Sequence, residues 1–305
     1  MPDASRFHYR ITWDSLAEAP LRHLIDLARE EDLAGGGWRA HGHPTGDVTT
    51  ALLDPAARGR AAIVTRKPIV ACGMRLIPWI LDAYGAGVRF TPCAHDGEHL
   101  HAGAQMAVLE GPCSVILPAE RPLLNFLQHL AGISTHTARH VQALGSSPTR
   151  LLDTRKTTPG HRLLEKYAVA CGGGWNHRMG LYDRVLLKDN HLAFAGAAAG
   201  SRLSDLVLHA RKAQPDLGIE VEIDTLDQLE PVLQAGADIV LLDNFTPEAL
   251  RQSVALNHGR ALLEASGGVR LETLPELGTL GLDFISCGAL VHQSTWVDIG
   301  LDWMH

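Results

Sequence analysis

The chain has 305 residues, 46% of them hydrophobic and 20% charged, with 27 Lys and Arg against 34 Asp and Glu for a net charge of −7. That length suits two domains better than one, and the composition excludes a disordered or fibrous protein. The acidic balance excludes a general nucleic-acid surface, which needs a basic stripe, but leaves room for a local anion site.

No apolar run reaches bilayer length, and the opening MPDASRFHYR has no apolar leader core. The expectation is a cytoplasmic protein without a membrane partner. The five cysteines (Cys72, Cys93, Cys113, Cys171, Cys287) are scattered and form no C-x-x-C pair. That pattern argues against a disulfide scaffold and against a thiolate zinc site.

In chain order, apolar spacing predicts a helix over 14–33, ending at Glu31-Asp32-Leu33. The glycine- and histidine-rich stretch that follows, AGGGWRAHGHPTGD, reads as a loop. From about 59 to 117 come short β-type runs broken by turn residues, which implies a mixed α/β layer. Within it, His95-Asp-Gly-Glu-His-Leu-His101 holds an Asp-Gly turn signal that outweighs a transition-metal reading, and His41 and His43 are read the same way. Residues 119–144 read as one long helix, with Pro122 tolerated in its first turn.

After residue 150 a unit repeats: a short apolar run, an abrupt polar or glycine-rich junction, then an amphipathic segment. The junctions are LLDTRK (151–156), VLLKDNH (185–191), IEVEID (219–224), DIVLLDN (238–244), ALLEASGG (261–268) and DFISCGAL (283–290). Such alternation means parallel βα units, and six of them suggest an α/β barrel. A doubly wound sheet would alternate similarly, but no G-x-G-x-x-G follows a strand.

In a barrel, function sits where the strands end. Those ends carry Arg155, Lys156, Lys188, Glu222, Asp243, Ser266-Gly267-Gly268 and Gly288-Ala289. Cations suit carboxylate and phosphate groups, carboxylates suit Mg²⁺ or ribose hydroxyls, and glycine turns let backbone N–H groups approach a phosphate. The chain has only five lysines, so two at strand ends carry information. The ligand implied is a small polyanion that includes a sugar. Residue types alone leave open a lysine Schiff base at Lys188 or Lys156 and solvated charges at Arg155 and Lys156. Glu222 and Asp243 could equally be helix caps, and Gly172–Gly174 a helix end.

The motifs Asp153-Thr-Arg-Lys-Thr-Thr-Pro-Gly160, Glu165-Lys-Tyr-Ala-Val169, Gly172-Gly-Gly174, Asn176-His-Arg178 and Lys188-Asp-Asn-His191 resemble the signature of quinolinate phosphoribosyltransferases. Gly46-Asp-Val-Thr-Thr50, Glu120-Arg121 with Asn125, Glu220-Val-Glu222, Leu242-Asp-Asn244, Glu264-Ala-Ser-Gly-Gly268 and Gly288-Ala-Leu290 match in the same order, over roughly residues 24 to 302.

This resemblance implies an N-terminal α/β sandwich domain over 1–130, joined by the C-terminal tail, and an open or incomplete α/β barrel of parallel strands over 131–305. It implies a homodimer with a shared active site, Arg121 entering the neighbouring subunit's pocket. Arg121, Arg155, His177, Arg178 and Lys188 would hold the carboxylates of quinolinate, with Thr154 and Lys156 beside them. Glu222 and Asp243 would address the ribose and Mg²⁺ of phosphoribosyl pyrophosphate. Ser266-Gly267-Gly268 and Cys287-Gly288-Ala289 would cradle its 5-phosphate. Lys156, Lys188, Glu222 and Asp243 are the expected catalytic set, and the reaction is phosphoribosyl transfer with decarboxylation to nicotinate mononucleotide.

The chain departs from the family pattern in an insertion over 34–45 and in Pro122 directly after Arg121; neither touches the charged set. The alternatives are a Schiff-base barrel aldolase, a nicotinate-specific phosphoribosyltransferase, whose single carboxylate needs fewer cations, and a non-catalytic phosphate-binding or sensor protein, which would be expected to have lost some of the charged set.

Overall fold

The computed structural model describes residue 4 and residues 7–35, 45–196 and 201–304. The middle of the 34–45 insertion, including His41 and His43, lies outside the described residues. The chain divides into two units. One comprises Ile11–His136, Leu163–Gly173 and Ser294–His305; the other comprises Met1–Arg10, Thr137–Arg162 and Gly174–Gln293.

In the first unit, α1 (Glu18–Leu33) buries Leu21 and Ile25 on one face, which is why the helical spacing is legible. Strands β1 (Arg58–Thr65) and β2 (Ile69–Val70), helix α2 (Ile77–Tyr84), then β3 (Arg89–Pro92), β4 (His99–Leu100) and β5 (Gln105–Pro112) follow. The chain's last strand, β12 (Ile299–Trp303), pairs antiparallel with β1, giving a sheet ordered β12-β1-β5-β3. Asp96-Gly97 does form a turn, with Gly97 at φ 85°. Asp96 accepts hydrogen bonds from the Met74 N–H at 2.8 Å and the Tyr167 hydroxyl at 2.9 Å.

Helix α3 (Cys113–Ala143) begins six residues earlier than the spacing from 119 implied, so Pro118 and Pro122 both lie inside it and Pro122 is not in its first turn. Each interior proline deletes a backbone hydrogen bond and costs about 3 kcal/mol. The helix also buries Val115, Ile116, Ala119, Leu123, Leu124, Leu127 and Leu130. At roughly 1.5–3 kcal/mol per large apolar side chain, that stripe outweighs both prolines. The β-branched pair Val115 and Ile116 is helical because it shares that stripe. Helix α4 (Arg162–Cys171) comes after α3 and buries Leu164 through Val169. Among the described residues no helix is long and apolar enough to cross a membrane.

The second unit holds β6 (Arg150–Leu152), β7 (Val185–Leu187), β8 (Ile219–Ile223), β9 (Ile239–Asp243), β10 (Leu262–Ser266) and β11 (Phe284–Ser286). All pair in parallel, in the order β6-β11-β10-β9-β8-β7, and each coincides with one predicted junction. Between and after these strands run α5 (Asp189–Phe194), α6 (Ser201–Ala213), α7 (Leu229–Gln234), α8 (Pro247–Asn257), α9 (Leu274–Leu277) and α10 (Ala289–His292). Strands β6 and β7 are the two edges, so the barrel is open. At the β6 edge, Leu152 bridges Trp175 in parallel and Asn176 bridges Tyr9 antiparallel. The chain's N-terminal segment therefore lies along the barrel, and Phe7 packs with Leu152, Ile239, Leu262 and Phe284. The architecture is the expected α/β class: a small antiparallel-sheet unit and an open barrel of parallel strands.

Candidate active site

A cavity of about 770 Å³ opens at the carboxyl ends of the barrel strands. It is lined by every predicted site residue except Arg121: Thr154, Arg155, Lys156, His177, Arg178, Lys188, Glu222, Asp243, Ser266, Gly267, Gly268, Cys287, Gly288 and Ala289. Each strand delivers its share near its last buried residue, where the backbone leaves the sheet. Arg121 is exposed on α3, in the other unit. The signature residues Glu165–Val169 also fall outside the cavity; they are buried on α4, and the chain leaves that helix at Gly172-Gly173.

Local chemistry fixes the lining. Asp153, fully buried after β6, accepts hydrogen bonds from Asn176 Nδ2 at 2.7 Å and the His177 N–H at 2.8 Å. One carboxylate thus ties the strand end to the segment that carries His177 and Arg178. Arg178 is buried, and that burial, together with the neighbouring Arg155, lowers its proton affinity. A buried guanidinium remains charged at any physiological pH, so crowded cations here create a strong demand for an anion.

Lys188 Nζ lies 2.8 Å from Glu222 Oε2, and Asp243 Oδ2 accepts from Asn244 Nδ2 at 2.7 Å. The paired Lys188 ammonium is the opposite of the free, desolvated amine that a Schiff base requires. Gly267 and Gly268 have φ 87° and 59°, and a Cβ on Gly267 would run into the Asn244 side chain. Glycine is what fits that turn, and it brings bare backbone to the cavity wall. Burial pushes the Cys287 thiol up, and its S–H points to the Val269 carbonyl at 3.8 Å, so it is a packing thiol and not a nucleophile.

Arg270 and His292 also line the cavity and were not singled out from the sequence. Arg270 was findable as a cation two residues past the glycine turn; His292, at the end of the short α10, carried no signal. Among the described residues, the group whose ligand atoms lie within 4.8 Å of one another is His177, Glu220 and Glu264, not Glu222 with Asp243.

An open parallel barrel with a mouth of cations, two carboxylates and a glycine turn defines an enzyme that handles a small phosphorylated, multiply anionic substrate. Solved structures agree. A nicotinate-nucleotide pyrophosphorylase from Francisella tularensis superposes with a TM-score of 0.86 at 34% identity, covering 96% of this chain and 99% of that one. NadC from Streptococcus pyogenes gives 0.86 at 33%, covering 95% and 99%.

Residues 47–131 match the family described as quinolinate phosphoribosyl transferase, N-terminal domain, and 133–302 match its C-terminal domain. A probable nicotinate-nucleotide pyrophosphorylase [carboxylating] of Bacillus subtilis is 40% identical over 258 residues, 85% of this chain and 88% of its own. The Mycobacterium leprae nicotinate-nucleotide pyrophosphorylase [carboxylating] is 38% identical over 287 residues, 92% and 96%. This chain belongs to the quinolinate phosphoribosyltransferase family, and is a pentosyltransferase.

Proposed function

We propose that the protein transfers the phosphoribosyl group of phosphoribosyl pyrophosphate to the pyridine nitrogen of quinolinate and releases diphosphate, CO₂ and nicotinate mononucleotide. The observation that carries this reading is the crowding of Arg155, Lys156, Arg178 and Lys188 in one cavity with only Glu222 and Asp243 to oppose them. A dicarboxylate neutralises such a set; a monocarboxylate leaves part of it, the buried Arg178 included, short of a counter-charge.

Arg178, Arg155 and Lys188 grip the two ring carboxylates, and Lys188 exchanges its Glu222 partner for a substrate oxygen. Ser266-Gly267-Gly268 and Cys287-Gly288-Ala289 take the 5-phosphate on backbone N–H groups. The C1–O bond to diphosphate breaks as the pyridine nitrogen, held in line by its carboxylates, forms the C1–N bond. The pyridinium then accepts the electron pair of the C2–carboxylate bond. CO₂ leaves, and C2 takes a proton.

Glu222 and Asp243 are partly exposed carboxylates on the cavity wall, a donor set that suits Mg²⁺ with water and diphosphate oxygens. Bound there, Mg²⁺ would neutralise charge on the departing diphosphate. All five cysteines are free, and no described helix spans a membrane; both fit a cytoplasmic protein. The working assembly is a homodimer in which Arg121 serves the partner's cavity.

Purified protein given quinolinate, phosphoribosyl pyrophosphate and Mg²⁺ should form nicotinate mononucleotide, with nicotinate hardly used; absence of product, or equal use of nicotinate, overturns the reading. Arg121→Ala and Lys156→Ala should each be inactive alone. Allowed to exchange subunits, they should recover activity, because a mixed dimer has one cavity that lacks neither group. No recovery after exchange verified by mass spectrometry rejects the shared site.

A further inference from the structure

Beneath the cavity, five ionisable side chains from four separate segments meet in the barrel interior: His8, His177, Arg184, Glu220 and Glu264. None is more than 6% exposed. Arg184 Nη1 lies 2.9 Å from Glu220 Oε2 and donates to His8 Nε2 at 3.2 Å, while Nη2 donates to the Phe7 carbonyl. His177 Nε2 faces Glu220 Oε1 at 3.3 Å and Glu264 Oε1 at 3.5 Å. Glu264 Oε2 is 3.6 Å from His8 Nε2, and the His8 ring packs on Phe284 with centroids 3.8 Å apart.

Of these five only His177 lines the cavity, and its neighbour Arg178 lines it too. Both are tethered from below. His177 Nδ1 accepts the Arg178 N–H at 2.8 Å, so both ring nitrogens are engaged within the protein. Arg178 Nη1 donates to the Arg184 carbonyl at 3.2 Å, which fixes one side of the guanidinium. A continuous chain of contacts therefore runs from His8 and Glu264 through Arg184, Glu220 and His177 to Arg178.

A barrel interior built for stability alone would hold apolar side chains here, because buried charges cost more in desolvation than their pairing returns. Neither oxygen of Glu264 has a hydrogen-bond partner among the described residues, which raises that cost. Among the described residues Arg184 supplies a cation to Glu220 alone, and Glu264 faces only the two imidazoles. What this costly cluster achieves is rigidity: a fixed ring and a fixed guanidinium at the cavity floor.

We propose that His8, Arg184, Glu220 and Glu264 are positioning residues that hold the His177 ring and through it aim Arg178 at a substrate carboxylate, making the N-terminal segment Phe7–Arg10 a working part of the quinolinate subsite. This rests on the reaction proposed above. The network touches the cations and leaves the phosphate-binding turn alone, so its loss separates the two substrates.

The test is steady-state kinetics of His8→Ala, His8→Gln and Glu264→Gln on the whole protein, with thermal midpoints measured alongside. His8→Ala should raise the quinolinate KM about tenfold, the order of one lost positioning hydrogen bond, and leave the phosphoribosyl pyrophosphate KM within about twofold. His8→Gln, which keeps an acceptor for Arg184, should recover most of that loss. Glu264→Gln keeps the shape and should raise the quinolinate KM selectively, by about fivefold; it decides the matter if His8→Ala fails to fold. Equal rises in both KM values, a fall in kcat alone, or an unchanged quinolinate KM would each overturn the network. A wild-type protein that forms no nicotinate mononucleotide would instead overturn the reaction on which it rests.

Discussion

The mouth and the floor of the barrel are built from the same strands, two residues apart, yet they do different work. Glu222 at the mouth of β8 is partly exposed and paired with Lys188; Glu220, two residues earlier, is fully buried on Arg184 and His177. On β10, Ser266 faces the cavity and Glu264 lies beneath it. Strand alternation puts each pair on one face of the sheet, so similar chemistry meets opposite environments through depth alone.

For Glu220, burial pushes the carboxyl up, but His177 and Arg184 together outweigh it and hold it below the usual range. The lesson is that a mouth group is free to change partners when substrate arrives, whereas a floor group cannot change partner without leaving a charge unpaired.

The largest expected effects come from breaking the mouth. Arg178→Ala should cut kcat/KM for quinolinate by about 10³, as loss of a buried charge-assisted contact does, and should abolish quinolinate binding in calorimetry. Asp243→Ala should leave that binding intact and cost a comparable factor in use of phosphoribosyl pyrophosphate, since a carboxylate suits a sugar or Mg²⁺. If both variants lose quinolinate binding equally, the division of the mouth into two subsites is wrong.

The floor should show itself in stability. Burial lowers the His8 pKa from 6.5 to about 4, against a smaller upward pull from Glu264 and with a further downward one from Arg184 and His177. A depressed folded pKa means the unfolded chain takes the proton first as pH falls. Stability from neutral His8 is therefore present above pH 6.5 and is lost as pH falls through about 4. The full difference is on the order of 3 kcal/mol. His8→Gln should flatten the thermal midpoint between pH 7 and 4.5 relative to wild type; an equally steep fall in both would assign the acid sensitivity to other groups.

A smaller effect sharpens the boundary between mouth and floor. Gly267→Ala forces a side chain at φ 87° against Asn244, the residue that orients Asp243. It should raise the phosphoribosyl pyrophosphate KM about tenfold while leaving quinolinate KM unchanged, a cost of the order of one strained residue.

Much of this arrangement was legible in the sequence. The six apolar runs of the barrel and fourteen of the fifteen named site residues coincide with six strands and one cavity. Parallel strands buried on both faces leave a near-continuous apolar run and end in polar groups, so they announce themselves locally. The start of α3 was not legible. Val115-Ile116-Leu117 reads by itself as strand, and only the packing of a helical stripe around Pro118 and Pro122 settles it as helix.

By itself the sequence determined the parallel strands, the residues at their ends and the chemistry those residues offer, since all of these are local properties of short segments. Only the tertiary structure decided depth and closure. It brought His8 from the far N-terminal end beside Glu264, more than two hundred residues away, and it buried Glu220 while leaving Glu222 at the mouth. No periodicity encodes that distinction. Whether a charge is solvated or enclosed depends on which distant segments cover it, and so does what that charge can do.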